Sequence, residues 1–261
     1  MSKKIFYMKN ITKNFNKLKV LKDTSFYLNK GEIISLLGPS GSGKSTIFRM
    51  LAGLEQPDSG QLYINPDIRK GYVFQEERLL PWKTVEDNIH FVQKRYLNTD
   101  EAELKRKTLL KLTGLYKFRD SYPAQLSGGM KQRIEIIRAL SIKPELLLLD
   151  EPFKSLDAQT GFNIKNMILR FNEMSGLSTF LITHDPEEAV LMADRIYILS
   201  RKPGKILKSF KIKIPQAERS IKDDQIYSIR QEIIETFTDL VNEFDWKKSE
   251  ETDNIIKQFK T

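Results

Sequence analysis

Gly38-Pro39-Ser40-Gly41-Ser42-Gly43-Lys44-Ser45 sets three glycines, a lysine and a terminal hydroxyl between two contrasting stretches. Before it runs the apolar segment Ile33 to Leu37. After it, Ile47, Met50, Leu51 and Leu54 recur at i, i+3, i+4 and i+7, one face of a helix. A strand, a glycine loop and a helix in that order fit the phosphate-loop pattern. Glycines let backbone N–H groups curl around phosphate oxygens, and the helix N-terminus adds partial positive charge. Lys44 then reaches the β and γ phosphates of a nucleotide, Ser45 offers its hydroxyl to Mg²⁺, and Thr46 extends the nucleotide-binding set.

Two further groupings carry chemistry. Leu146-Leu147-Leu148-Leu149-Asp150-Glu151 puts two carboxylates where a buried strand emerges, the edge at which open α/β sheets bind ligands. There Asp150 would hold Mg²⁺ through water and Glu151 would polarise an attacking water, although a strand ending in Asp-Glu does not by itself select that role. Leu126-Ser127-Gly128-Gly129-Met130 opens the helical segment from Lys131 to Leu140 and forms a second anion-binding turn, far in sequence from the first. A simple helix cap is the competing reading of Ser127.

These residues need a scaffold. Residues Ile5 to Leu37 read as antiparallel strands leading into a buried strand, and Gly60 to Ile64 and Gly71 to Phe74 as further strands. Thr84 to Leu140 reads as mainly helical. Strand character returns at Leu146 to Leu149, Thr179 to Thr183 and Ile196 to Leu199, with helical segments between them, which argues for an α/β fold. The fold class expected is a phosphate-loop NTPase core of mixed sheet, with an N-terminal antiparallel β part, a helical insertion over about residues 76–144 and a C-terminal helical tail. Phe210, Ile212 and Ile214 read as a last strand, and Pro215 to Asp224 as a linker. Ile226, Ile229, Ile233, Ile234, Phe237, Leu240, Val241 and Phe244 then form one apolar helical stripe. Residues 1–214 are thus expected to form the main domain and 215–261 an extension, whose stripe either docks on the chain's own surface or receives a partner.

With the motifs in place, the chain resembles the ATP-binding-cassette ATPases from about Ile5 to Ile214. Ser127, Gly128 and Gly129 match that family's signature motif. The resemblance implies a glutamine loop at Gln75, which senses Mg²⁺ and water, and a dimer-communication loop at Ser155-Leu156-Asp157. It implies a switch histidine at His184 that contacts the γ-phosphate. Phe15 stands where the family stacks an aromatic on adenine; an early-strand phenylalanine is otherwise core. His90 matches no role and is expected at the surface.

The resemblance further implies a head-to-tail homodimer with ATP between the phosphate loop of one subunit and Ser127 to Gly129 of the other. The implied setting is peripheral, on the cytoplasmic face of a membrane, with integral permease subunits, an extracytoplasmic solute-binding protein acting indirectly, and no nucleic acid. Phe74-Gln75-Glu76-Glu77-Arg78-Leu79-Leu80-Pro81-Trp82 resembles importers of nitrate, taurine, aliphatic sulfonates and thiamine-precursor pyrimidines. Leu80 and Trp82 would suit a groove for a permease helix, or else Trp82 packs within the helical insertion. Glu135 and Ile137 depart from the alanines usual in the signature helix, a change expected to alter packing rather than nucleotide chemistry.

Composition agrees without deciding. The chain of 261 residues has 40% hydrophobic residues, enough for an ordinary core, and no apolar run near the roughly 20 residues that cross a bilayer. Its start does not read as a signal peptide, and it has no cysteine, which fits a reducing compartment. The net charge of +9 suits an anionic partner or a solvated lysine-rich surface. Cassette ATPases of DNA repair or translation are the main alternative, but their long coiled-coil insertions or second cassette are not in this sequence. A phosphate-loop kinase or GTPase is disfavoured by the signature and by His184.

Overall fold

The computed structural model describes residues 3–242. A three-stranded antiparallel sheet comes from β1 (Lys4–Phe15), β2 (Leu18–Asn29) and β4 (Ser59–Ile64), in the order β2-β1-β4. Beside it lies a six-stranded sheet of order β5-β6-β7-β3-β8-β9. Its strands are β3 (Ile33–Leu37), β5 (Lys70–Val73), β6 (Leu146–Asp150), β7 (Ser178–Ile182), β8 (Arg195–Leu199) and β9 (Ile206–Lys211). All pair in parallel except the edge strand β9, which runs antiparallel to β8. Strands β3, β6 and β7 are buried along their whole length, which is why their sequences are continuous apolar runs rather than alternating ones.

The two sheets meet over an aromatic core. The Phe6 ring packs edge-on against Phe26 and Phe180 at centroid distances of 5.7 and 5.9 Å, joining β1, β2 and β7. Between β5 and β6 come α2 (Val85–Gln93), α3 (Thr99–Leu112) and α4 (Gly128–Leu140), which share a separate core of Val85, Ile89, Leu109, Ile134 and Ile137. The helices α1 (Lys44–Leu51), α5 (Ala158–Ser175) and α6 (Pro186–Met192) follow β3, β6 and β7 in turn, the expected strand-to-helix alternation.

Several sequence expectations change in detail. Helix α1 ends at Leu51, so Leu54 falls beyond it and is exposed, because Gly53 turns the chain at positive φ. Strand β9 ends at Lys211; Ile212 is buried outside it, its N–H held by the Asp194 carbonyl at 2.9 Å. The segment from Pro215 to Asp224, expected as a linker, is anchored to the end of α6. Arg219 donates to the carbonyls of Ile214 (2.9 Å) and Ala193 (2.7 Å), closing the end of α6.

The tail helix α7 (Asp224–Asn242) docks on the chain itself. Ile226, Ile233 and Leu240, seven residues apart, are buried against Ile33, Val190 and Ile196. Each such side chain taken from water stabilises by about 1.5–3 kcal/mol. Phe244 lies outside the described residues. His90 is not a plain surface residue: it is half-buried, its Nδ1 3.4 Å from the buried Arg106 that joins α2 to α3, and burial lowers its pKa. Trp82 does not pack within the helical segment and is 70% exposed.

Candidate active site

Strand order alone gathers the chemistry. The phosphate loop leaves the C-terminal end of β3, and Asp150 ends β6. His184 follows the end of β7, the strand between them. Parallel pairing carries Val73 opposite Leu149, so Gln75, two residues past β5, stands exposed at the same edge. This is the edge where open parallel sheets bind ligands.

In the loop, Gly41 and Gly43 take positive φ of 75° and 106°, conformations costly for any other residue. A Cβ on Gly43 would also lie 2.8 Å from Leu21 Cδ2. Gly43 opens α1 with no side-chain cap and no acidic residue in the first turn, so that helix N-terminus is left free for an outside anion. Helices α2, α3, α5 and α6, by contrast, are capped by Thr84, Asn98, Asp157 and Asp185. Lys44 is buried and folds back, its Nζ donating to the Gly38 carbonyl at 2.7 Å and the Pro39 carbonyl at 3.0 Å. Burial lowers its pKa, against the pull of Glu151 and Asp150. The Ser42 hydroxyl is buried with no hydrogen-bond partner.

Asp150 is buried too. Desolvation first, and then the charge of Glu151, push its pKa up to about 6, while the Ser45 hydroxyl and Lys44 pull the other way. Glu151 sits at φ 48°, a left-handed conformation rare for a non-glycine residue. Its N–H donates to the Ile182 carbonyl at 2.9 Å, and its Oε1 lies 3.6 Å from His184 Nδ1. Lys154 Nζ lies 3.5 Å from the other oxygen. Glu151, Lys154, Thr183, His184 and Asp185 line a cavity of about 230 Å³.

A second cavity of about 360 Å³ joins the phosphate loop to the end of β1. Phe15, Leu18 and Val20 form its apolar wall; Gly41, Gly43, Lys44, Ser45 and Thr46 its polar end; Lys202 also lines it. Phe15 is therefore not core but 44% exposed beside the loop, with Lys13 Nζ 5.2 Å from its ring centre. Pro39 and Ser40 complete the loop without lining that cavity.

The signature turn stands apart. Ser127 caps α4, its hydroxyl accepting from the Met130 N–H at 3.3 Å, and Ser127 and Gly128 are exposed. No residue of 126–130 lines either cavity among the described residues. A Cβ on Gly129 would come 3.1 Å from the Ser155 carbonyl, so the turn abuts the loop that ends at Asp157. Asp157 caps α5 through the Thr160 N–H at 2.9 Å, a bond that lowers its pKa.

Glu135 does more than alter packing. Buried in α4, it accepts from the Arg78 N–H and pairs with Arg138 at 3.3 Å, while Arg138 donates to the Arg78 carbonyl at 2.8 Å. The segment just after Gln75 is thereby tied to the signature helix. Sequence reading missed this tie because its partners lie 57 residues apart. It also missed Lys154 and Lys202: Lys154 stands three residues after Glu151, a spacing that carries no signal until the turn is folded, and nothing local marks Lys202.

Comparison with known proteins shows the family. Residues 21–154 match the family described as ABC transporter. This chain belongs to that family. An aliphatic sulfonates import ATP-binding protein from Bacillus cereus is 38% identical to it, covering 88% of this chain and 92% of the relative. A nitrate import ATP-binding protein from Synechocystis sp. is also 38% identical, covering 81% and 82%. Among solved structures, a dimeric ATP-binding cassette in a post-hydrolysis state bound to ADP and Pi superposes with a TM-score of 0.71 at 30% identity. The match covers 80% of this chain and 100% of that one. As a member of the ABC transporter family, the chain is an ATPase of α/β class.

Proposed function

We propose that this chain is the ATP-hydrolysing subunit of an importer and works as a head-to-tail homodimer. One observation carries the reading: the phosphate loop, Asp150, Glu151 and His184 share one sheet edge, while Ser127, Gly128 and Gly129 stand outside the cavities there. A turn with two glycines and a helix N-terminus, placed where its own chain's nucleotide does not reach, is suited to the nucleotide of a second copy.

Within each site the phosphates lie over Gly38 to Thr46, with Lys44 at the β and γ phosphates and Phe15 stacked on adenine. The Ser45 hydroxyl and the Asp150 carboxylate, with Gln75 at the same sheet edge, make an oxygen donor set that fits Mg²⁺. Among the described residues no group of three or more His, Cys, Asp or Glu is arranged to hold a metal ion by itself, and Mg²⁺ is commonly held by few protein groups plus substrate phosphates. When bound, the ion neutralises charge on the phosphates. Glu151 orients and polarises the attacking water, and His184, beside it, meets the γ-phosphate. Asp157 links the two sites across the dimer.

Residues 1–214 would form the cassette domain, with 76–144 as its helical subdomain, and 215–261 the extension. No described helix is long and apolar enough to cross a membrane. The partners are integral permease subunits, with exposed Trp82 near Gln75 as a contact for a permease helix, and an extracytoplasmic solute-binding protein acts at one remove. The protein would sit on the cytoplasmic face of the membrane and bind no nucleic acid. Its solute class is a small anion such as a sulfonate or nitrate, as the names of the relatives suggest, or a pyrimidine precursor.

Glu151→Gln tests the reading. Hydrolysis should fall by about 10²–10⁴-fold, and light scattering after size exclusion should show a dimer that forms only with ATP. A variant that stays monomeric in saturating ATP would refute the shared site.

A further inference from the structure

The turn between β8 and β9, residues 200–205, is fastened on one side to the wall of the cavity and on the other to α7. On one side Gly204 bonds to β2: its N–H donates to the Val20 carbonyl at 2.8 Å. Its own carbonyl accepts from the Lys22 N–H at 3.0 Å and from the Thr24 hydroxyl at 2.8 Å. Gly204 also presses on the phosphate loop so closely that a Cβ there would collide with the Ser42 carbonyl oxygen. On the other side Arg201 Nε donates to the Leu240 carbonyl of α7 at 2.7 Å. Lys202 lies between these two anchors, exposed, and lines the cavity with Phe15, Leu18, Val20, Gly43 and Thr46.

Among the described residues lining that cavity, Lys44 and Lys202 are the cations, and they differ in burial: Lys44 is buried and Lys202 exposed. Lys44 lies within electrostatic reach of Asp150 and Glu151, the carboxylates proposed above to act at the terminal-phosphate end. Lys202 shares the cavity lining with the apolar Phe15, Leu18 and Val20. Among the described residues, no carboxylate lines the cavity to neutralise it.

We propose that Lys202 is a further nucleotide-contacting residue, whose ammonium pairs with the phosphate chain at its base-proximal, α-phosphate end. This rests on the nucleotide reading of the cavity. The contact would be common to ATP and ADP, unlike that of Lys44, because the α-phosphate is present in both.

Calorimetric titration of the full chain with ADP and with the β,γ-imido analogue of ATP tests the assignment. Lys202→Gln should raise Kd by about two- to fivefold at low salt, by the same factor for both nucleotides, and by less as salt increases. Lys202→Arg should restore affinity, Lys202→Glu should weaken it further, and nucleotide-free thermal unfolding should match wild type in all three. Unchanged affinity in Lys202→Gln, or a loss confined to the triphosphate, overturns the assignment while leaving the nucleotide site intact. If wild-type protein binds neither nucleotide, the reading of the cavity fails and this inference with it.

Discussion

The phosphate loop and the signature turn are both glycine-bearing helix N-termini, yet the chain builds them in opposite ways. At the first, Gly43 leaves α1 uncapped, positive φ is required at two positions, and Lys44, Asp150 and the Ser42 hydroxyl are buried around it. At the second, Ser127 caps α4, Gly128 has open space where a Cβ would stand, and no charge is buried in the turn itself. One is a buried anion cradle with strained backbone; the other is an exposed, capped turn with open space at Gly128. In the proposed head-to-tail dimer, the contrast is between the two halves of one site.

Substituting glycine should separate the halves most sharply. Gly43→Ala meets both positive φ and the Leu21 contact at 2.8 Å, and should destabilise the fold by roughly 2–4 kcal/mol. Gly128→Ala, in open space at the start of a helix, should leave stability within about 1 kcal/mol or raise it slightly, yet reduce ATPase activity in the dimer. Chemical denaturation paired with turnover reads both; equal stability losses would break the comparison.

The buried charge makes the second difference. The Asp150 pKa of about 6 stands above the ordinary 3.8, so the folded state binds more protons between those values. Its contribution is fully present below about pH 4 and is lost as pH rises through 6. That loss amounts to an order of 2–3 kcal/mol at neutral pH. In EDTA and without nucleotide, Asp150→Asn should therefore be more stable than wild type at pH 7.5, and that advantage should shrink as pH falls through 6 and vanish only below about pH 4. The signature turn buries no such group, so its variants should follow the wild-type pH profile.

The smallest effect belongs to the cap. Ser127→Ala removes a 3.3 Å bond to the Met130 N–H, and should lower the thermal stability of the free chain by about 0.5–1 kcal/mol. A much larger loss would mean that the turn is as strained as the phosphate loop.

The sequence alone determined what depends on local spacing. A buried strand, glycines at fixed intervals and a helical stripe are short-range signals, so Gly38 to Ser45, the β6 carboxylates and the α4 turn were legible, as were most strands and helices. The resemblance to cassette ATPases stood on the same residues. Element ends were less legible at Leu54 and at Ile212, where a turn glycine and a tertiary hydrogen bond, rather than periodicity, stop the element.

Tertiary structure decided what depends on strand order. Only the sequence of neighbours β5-β6-β7-β3 brings Gln75, Glu151, His184 and the phosphate loop to one edge. Only the packing of the 200–205 turn on Ser42 sets Lys202 beside Phe15, and only the fold buries Glu135 against Arg78. The physical reason is the same in each case: these groups are distant along the chain, and their contacts arise from hydrogen bonding and burial between elements, which no local pattern of residue types encodes.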